Sequence, residues 1–328
     1  MVAFLVQRLF QAVLVMLAVA VIAFALFNYV GDPISSMVGQ DTSVADRERL
    51  RQELGLDDSF IVQFARFVGR AARGNFGLSY QQARPVGQII LEKMPATLEL
   101  SFVAATLALI IGVPMGIYTG LHRDTWLSQL MLALSLVGVS LPTFLIGILL
   151  ILVFAVMLGW LPSFGRGNVV HFGWWSSGLV TLDGWRAIIM PAVTLSLFQM
   201  TLIMRLVRAE MFEVLRTDYI KFARARGLTN RSVNFGHALK NTLVPVITIA
   251  GLQLGSIIAF AIITETVFQW PGMGLMFIQA VSFADIPVMA AYLVLVGFFF
   301  VVINLVVDLL YHAVDPRLRV DRERVGVG

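Results

Sequence analysis

Between two long apolar runs the chain reads RTDYIKFARARGLTNRSVNFGHALKNTLVPVI (residues 216–247). Lys221, Arg224 and Arg226 fall within six residues, Arg231 follows, and Gly227 closes a run of helix formers. The segment is out of keeping with its surroundings. Of 328 residues 58% are hydrophobic and only 13% charged, and the mean hydropathy is +0.84. Soluble domains carry about 25% charged residues, so this chain lacks the polar surface to stay in water and reads as an integral membrane protein. Its net charge of +4 and pI near 9.7 then point to Lys and Arg held in cytoplasmic loops, not to nucleic acid. The absence of cysteine excludes disulfides and thiolate metal sites. Four scattered histidines without ligand spacing leave no metal centre to expect.

A crossing helix needs about 20 apolar residues. Six stretches qualify: Leu9–Val30, Leu100–Tyr118, Leu130–Leu158, Ala187–Leu206, Leu243–Val267 and Val288–Tyr311. The third is too long for one straight helix and contains Pro142, which predicts a kink. The first follows Arg8 as a signal peptide would, but it outruns the usual core of about 7–15 residues, so an uncleaved helix is expected. Six spans put both termini on one side. Residues 205–242 hold eight Lys/Arg against three acids, the tail adds Arg317, Arg319, Arg322 and Arg324, and 268–287 has neither Lys nor Arg. Positive-inside bias places the basic loop and both termini in the cytoplasm.

The long loop 31–97 carries eight cations and eight acids, which says little about its side. Within it, Asp46–Leu54 and Phe60–Ala72 read as amphipathic helices and NFGLSY (75–80) as a turn, so a small extracytoplasmic subdomain is expected. The domain plan is a first segment and helix (1–30), an extracytoplasmic loop subdomain (31–96), a transmembrane core (97–312) with a cytoplasmic loop at 209–242, and a cytoplasmic tail (313–328). Small residues Gly112, Gly116 and Gly120 recur every fourth position, which predicts close helix approach. Trp160, Trp174, Trp175, Trp185 and Trp270 fall near outer span ends, as an interfacial aromatic belt requires.

Composition leaves three readings of the basic segment open: a solvated helix that only sets topology, an amphipathic helix on anionic lipid, or a docking helix for a cytoplasmic partner. At about 1.5 Å per residue a helix over 218–226 is a rod near 13 Å long, and Gly227 supplies a left-handed stop.

The order of residues adds a resemblance. Asp218, Tyr219, Ala223, Arg224, Ala225, Arg226 and Gly227, followed by His237, Ala238, Leu239, Asn241 and Pro245, resemble the cytoplasmic loop of ABC-importer permeases of the dipeptide/oligopeptide (DppB/OppB-type) family. The broader E-A-A motif is broken, since Lys221 and Phe222 stand at its first two positions. LRQELGLDDSFIVQFARFV, NFGLSY, MPATLEL, ETVFQWPGMG and NLVVDLLYHAVDPRLR are similar to other segments of that family and extend the likeness over nearly the whole chain. The resemblance implies an all-α fold of six transmembrane helices, the type I importer permease fold. It also implies a coupling helix built from Asp218, Tyr219, Lys221, Phe222, Ala223, Arg224, Ala225, Arg226 and Gly227 that seats in an ATPase subunit. The implied partners are a second homologous permease, two ABC ATPase subunits with their ATP and Mg, an extracytoplasmic binding protein and membrane lipid, in the bacterial inner membrane. The implied cargo is di- or oligopeptides, with glutathione or nickel complexes as alternatives. No G-x-x-x-x-G-K-[ST] occurs in the chain, so a cofactor-free permease whose ATPase is another polypeptide is expected.

Polar residues inside spans mark pathways or interhelical bonds. Gln199, Gln253, Ser256, Phe260, Thr264, Glu265 and Asn304 are the candidates for a translocation path. Gln253, Ser256, Phe260 and Thr264 share one helical face by their spacing. Asp308 is placed to pair with a tail arginine. A stand-alone secondary transporter would need a mid-membrane relay and internal repeats; the acids lie near span ends and the halves show no repeat.

Overall fold

In a computed structural model the described residues are 2–29, 48–49 and 58–314. They form α1 (Val2–Tyr29), α2 (Phe60–Ala71), α3 (Val86–Leu121), α4 (Trp126–Ser140), α5 (Thr143–Leu150), β1 (Val170–Phe172), β2 (Trp175–Ser177), α6 (Leu182–Leu215), α7 (Asp218–Ala225), α8 (Leu239–Val267), α9 (Met273–Ser282) and α10 (Ile286–Val314). The helix expected over Asp46–Leu54 and the tail arginines lie outside the described residues, apart from 48 and 49.

Among the described residues, α1, α3, α6 and α10 are each long and apolar enough to cross a membrane, and α4 with α5 forms a bent pair that would make a fifth crossing. In α8 the apolar stretch Gly255–Val267 is shorter. The single kinked helix expected over Leu130–Leu158 gives way to two helices at 108°. Leu141 (φ −95, ψ 137) and Pro142 (φ −57, ψ 136) are both extended, because proline pushes the residue before it out of the α region. The expected subdomain boundary at 96/97 falls inside α3, which starts at Val86.

The chain divides into two compact units. The first comprises Met1–Leu98, Phe164–Trp185 and Gln269–Val301, and so gathers the connecting segments that a six-span plan with cytoplasmic termini puts on the far side. Its amphipathic α2 sets Phe64, Phe67 and Val68 against α1, where Phe24 lies 5.1 Å from the Phe60 ring and 5.7 Å from Phe67. Trp270 is 1% exposed and donates Nε1–H to the Ala96 carbonyl at 2.9 Å, while Met273 N–H bonds Thr97 Oγ1 at 2.8 Å. Trp270 is therefore a core anchor and not part of an interfacial belt; Trp160, Trp174 and Trp185 are exposed as a belt requires. A hairpin absent from the sequence reading pairs β1 with β2 antiparallel, turning at Gly173 (φ 65).

The second unit comprises Glu99–Ser163, Arg186–Phe268 and Val302–Gly328. Here the glycine run does what its spacing predicts. A Cβ on Gly116 would come within 2.6 Å of Val207 Cβ, and one on Gly112 within 2.9 Å of the Met200 carbonyl. α3 and α6 approach to backbone distance at these positions, and any larger side chain would force them apart.

Candidate functional site

The basic segment folds as the eight-residue helix α7. Alone, a helix this short would not persist in water, so tertiary contacts must hold it. Ile220 is fully buried and Ala223 is 8% exposed, packed in one cluster with Val207 and Met211 of α6, Val233, Ala238 and Val246. Tyr219 accepts a hydrogen bond from Asn241 Nδ2 at 2.7 Å, tying α7 to the start of α8. At the C-terminus, Gly227 N–H reaches the Arg224 carbonyl (2.9 Å) and Leu228 N–H reaches the Ala223 carbonyl (3.4 Å). With Gly227 at φ 77, this is a Schellman stop, which requires the left-handed residue that glycine provides without strain.

The other face of α7 is open. Phe222 is 64% exposed, and Lys221, Arg224, Ala225 and Arg226 are also exposed, with Tyr219 and Leu228 beside them. Arg226 lies 5.8 Å from the Phe222 ring centroid. Lys221 bonds Asp218 at 2.8 Å and holds its carboxyl below the usual carboxylate range; both groups are largely solvated, so the pair adds little stability. The open face thus presents an aromatic ring flanked by cations, with aromatic residues and arginine among the types enriched at protein interfaces. Of the nine residues expected on that surface, Ala223 faces the core instead. Ile220, which is not among those nine, is the residue that seats the helix. Its position between Tyr219 and Lys221, with Ala223 one turn on, is the amphipathic signal that reveals it.

The intramembrane candidates separate into three groups. Gln199, 3% exposed on α6, donates Nε2–H to Ser256 Oγ at 2.9 Å and approaches the Gln253 carbonyl at 3.4 Å, so these three residues bridge α6 and α8. Gln199 and Phe260 also line a cavity of about 150 Å³ with Thr143, Leu195, Phe198, Ile257 and Ile263. Thr264 and Glu265 are enclosed, at 1% and 0% exposure. Asn304 is half-buried, and its Oδ1 has no hydrogen-bond partner among the described residues.

A further buried acid, outside the sequence candidates, forms a clamp between distant segments. Asp285, 2% exposed just ahead of α10, accepts hydrogen bonds from the Ser79 hydroxyl, Tyr80 N–H (3.1 Å) and Gln81 N–H (3.3 Å). Burial, and next the Asp285 charge, push the Tyr80 phenol up to about 12. Nothing in the sequence joins residues 79–81 to 285, so only the tertiary fold exposes this clamp.

Comparison with known proteins gives two family matches. Residues 112–320 match the binding-protein-dependent transport system inner membrane component family, and residues 1–101 match its N-terminal membrane component. The chain is 36% identical to the dipeptide transport system permease protein DppB of Alkalihalophilus pseudofirmus, covering 97% of this chain and 100% of that one. It is 35% identical to the glutathione transport system permease protein GsiC of Escherichia coli, covering 96% and 98%. Among solved structures, the inward-facing MetNI methionine ABC transporter aligns over 69% of this chain and 96% of its own, with a TM-score of 0.53 at 20% identity, a likeness of fold.

Proposed function

The chain belongs to the family of binding-protein-dependent transport system inner membrane components, and from that premise we propose that it is the permease subunit of an ATP-driven importer of di- or oligopeptides. Members of the family work with other permease, ATPase and binding-protein subunits, and the permease itself is a non-enzymatic component. In this reading six spans, with both termini cytoplasmic, form half of the translocation path beside a second, homologous permease. Two ATPases dock beneath, and an extracytoplasmic binding protein delivers cargo to the opposite face. ATP and Mg belong to the ATPases.

The observation that supports the reading best is the two-faced helix α7. Its inner face, Ile220 and Ala223, is embedded in the core, and its outer face presents Phe222, Lys221, Arg224 and Arg226. A rigid lever needs both: a partner's movement applied to the outer face passes to α6 and α8 through the inner one. Closure of the ATPase pair would move α7 and switch the path between inward- and outward-facing states by rigid-body rearrangement. The gathering of loops 58–98, 164–185 and 269–301 into one unit supports their assignment to the far side. Gln199, Gln253, Ser256, Phe260, Thr264, Glu265 and Asn304 are the proposed path residues, with the cavity at Gln199 and Phe260 as its first element. Glutathione is a second cargo reading, favoured by the likeness to GsiC.

Affinity purification from the native host in mild detergent tests the assembly. A second permease and P-loop ATPases should co-purify, with ATPase activity; a chain that emerges alone and moves solute in liposomes without ATP refutes the importer. Gly227→Pro and Arg224→Glu/Arg226→Glu should abolish uptake while insertion persists, and normal uptake by both removes the coupling role of α7.

A further inference from the structure

The second unit holds a basic cavity that neither the coupling helix nor the polar residues of the spans account for. It measures about 560 Å³ and is lined by Arg123, Leu132, Leu136, Arg205, Arg208 and Phe212, with Ala209 between the last two. Arg205 and Arg208 stand one turn apart on α6, and Arg123 enters from the α3–α4 turn. None of the three forms an ion pair among the described residues, although Asp124, Glu210 and Glu213 are near in sequence.

The turn that presents Arg123 is fixed. Thr125 Oγ1 accepts from Ser128 N–H at 3.3 Å and donates to the His122 carbonyl at 2.9 Å, and the buried Ser128 hydroxyl donates to that same carbonyl. Arg123 then lies 3.4 Å from the Phe212 ring centroid, and Arg216 lies 3.8 Å from the same centroid. Two guanidinium groups on one ring, with two more along α6, concentrate positive charge with which no carboxylate among the described residues forms an ion pair.

The remaining wall is apolar. Leu132 and Leu136 belong to α4, whose exposed side chains continue through Leu134, Val137 and Val139. α4 begins at Trp126, 74% exposed, the residue type that settles at a membrane–water interface. Arginines beside an apolar helix face that begins at an exposed tryptophan fit a molecule with an anionic head and hydrocarbon tail, whereas a soluble anion would have no use for the leucines. Guanidinium pairs bind phosphate oxygens through two parallel N–H bonds, and basic pockets between membrane helices on the cytoplasmic side recognise anionic headgroups. We infer that the cavity lined by Arg123, Arg205 and Arg208 is a binding site for an anionic phospholipid of the cytoplasmic leaflet, its phosphate on the arginines and an acyl chain along Leu132 and Leu136. The leaflet assignment rests on the proposed orientation; the binding does not.

The test is native mass spectrometry of the full chain released from phosphatidylcholine nanodiscs doped with phosphatidylglycerol. The native chain should retain phosphatidylglycerol, and Arg205→Gln/Arg208→Gln should lower retention about tenfold or more, since each juxtamembrane arginine contributes substantially to anionic-lipid attraction. Arg231→Gln/Lys240→Gln, the same charge change outside the cavity, should retain lipid as the native chain does. Equal retention by the cavity variant and the native chain overturns the site. So does displacement of the lipid by millimolar inorganic phosphate or by an acidic dipeptide, which would identify a soluble-anion or cargo site instead. Side-specific labelling of Asp124→Cys, in a chain with no native cysteine, tests the orientation separately. Labelling from the cytoplasmic side supports the leaflet assignment, and labelling from the outside overturns it without touching the retention ratio.

Discussion

Replacing Ile220 with alanine separates the two faces of α7. The side chain is fully buried among Val207, Met211, Val233 and Ala238, each at 0% exposure. Three carbons are removed, worth about 2.4 kcal/mol of transfer free energy at roughly 0.8 kcal/mol per carbon. The void left behind adds a cavity penalty, for a total of about 3–4 kcal/mol. That penalty falls on a helix with few other anchors: Ala223, the Tyr219–Asn241 bond and the Gly227 stop. At about 1.4 kcal/mol per tenfold, the undocking equilibrium of α7 should rise more than a hundredfold. Hydrogen exchange of the amides in 219–226 reads this directly, because protection in a locally opening segment follows its local free energy. Uptake should fall with it, since a loose lever transmits little motion. Phe222→Ala is the paired control: at 64% exposure it should change stability by no more than about 0.5 kcal/mol, leave exchange unaltered, and weaken ATPase association. Unchanged exchange in Ile220→Ala would refute the claim that the buried face holds α7. Exchange raised equally by both substitutions would refute the division into faces.

Gly116→Ala should lower the melting temperature in detergent at a cost of about 1–3 kcal/mol, because its Cβ would stand 2.7 Å from the Met204 carbonyl and 2.6 Å from Val207 Cβ; Gly236→Ala, with only Ser232 Oγ at 3.9 Å, is the tolerant comparison. Asp285→Ala leaves the donors of Ser79, Tyr80 and Gln81 without their acceptor, and thermal unfolding should report a loss of about 2–4 kcal/mol at one to three per unmet buried group, partly relieved by water. Tyr80 titrates at about 12 against an ordinary 10.0. A phenol raised in the folded state contributes stability fully below pH 10 that is lost as pH rises through 12, so ultraviolet titration should find Tyr80 ionising late. Asp285→Asn should bring its midpoint down only part of the way, because burial outranks the Asp285 charge as the cause.

Composition and periodicity determined that the chain is a membrane protein, where its apolar stretches run, and that a short basic helix stands ahead of Gly227, realised as Asp218–Ala225. These are properties of local order: apolar length, helical period and the left-handed tolerance of glycine act over a few turns. The ordered motif carried the family as well. The sequence also implied close packing at Gly112, Gly116 and Gly120, because a missing side chain is visible before its neighbour is known. It did not show which residue would fill the space, and only the fold names Val207 opposite Gly116.

The tertiary structure decided everything that depends on residues distant along the chain. Trp270 reads as an interfacial anchor because it falls near an outer span end in a loop without Lys or Arg. It is buried because Ala96, 174 positions earlier, supplies the acceptor its indole needs. Pro142 announced a disturbance, but the angle of 108° between α4 and α5 is read only from the fold. Gln199, Gln253 and Ser256 could be read singly as path or as interhelical bond, and their hydrogen bonds across α6 and α8 are geometry that no spacing encodes. The same holds for Arg123, which joins Arg205 and Arg208 around one cavity only because a fixed turn aims it there. A sequence specifies such contacts through the free energy of the whole chain, so they become legible only once the chain has folded.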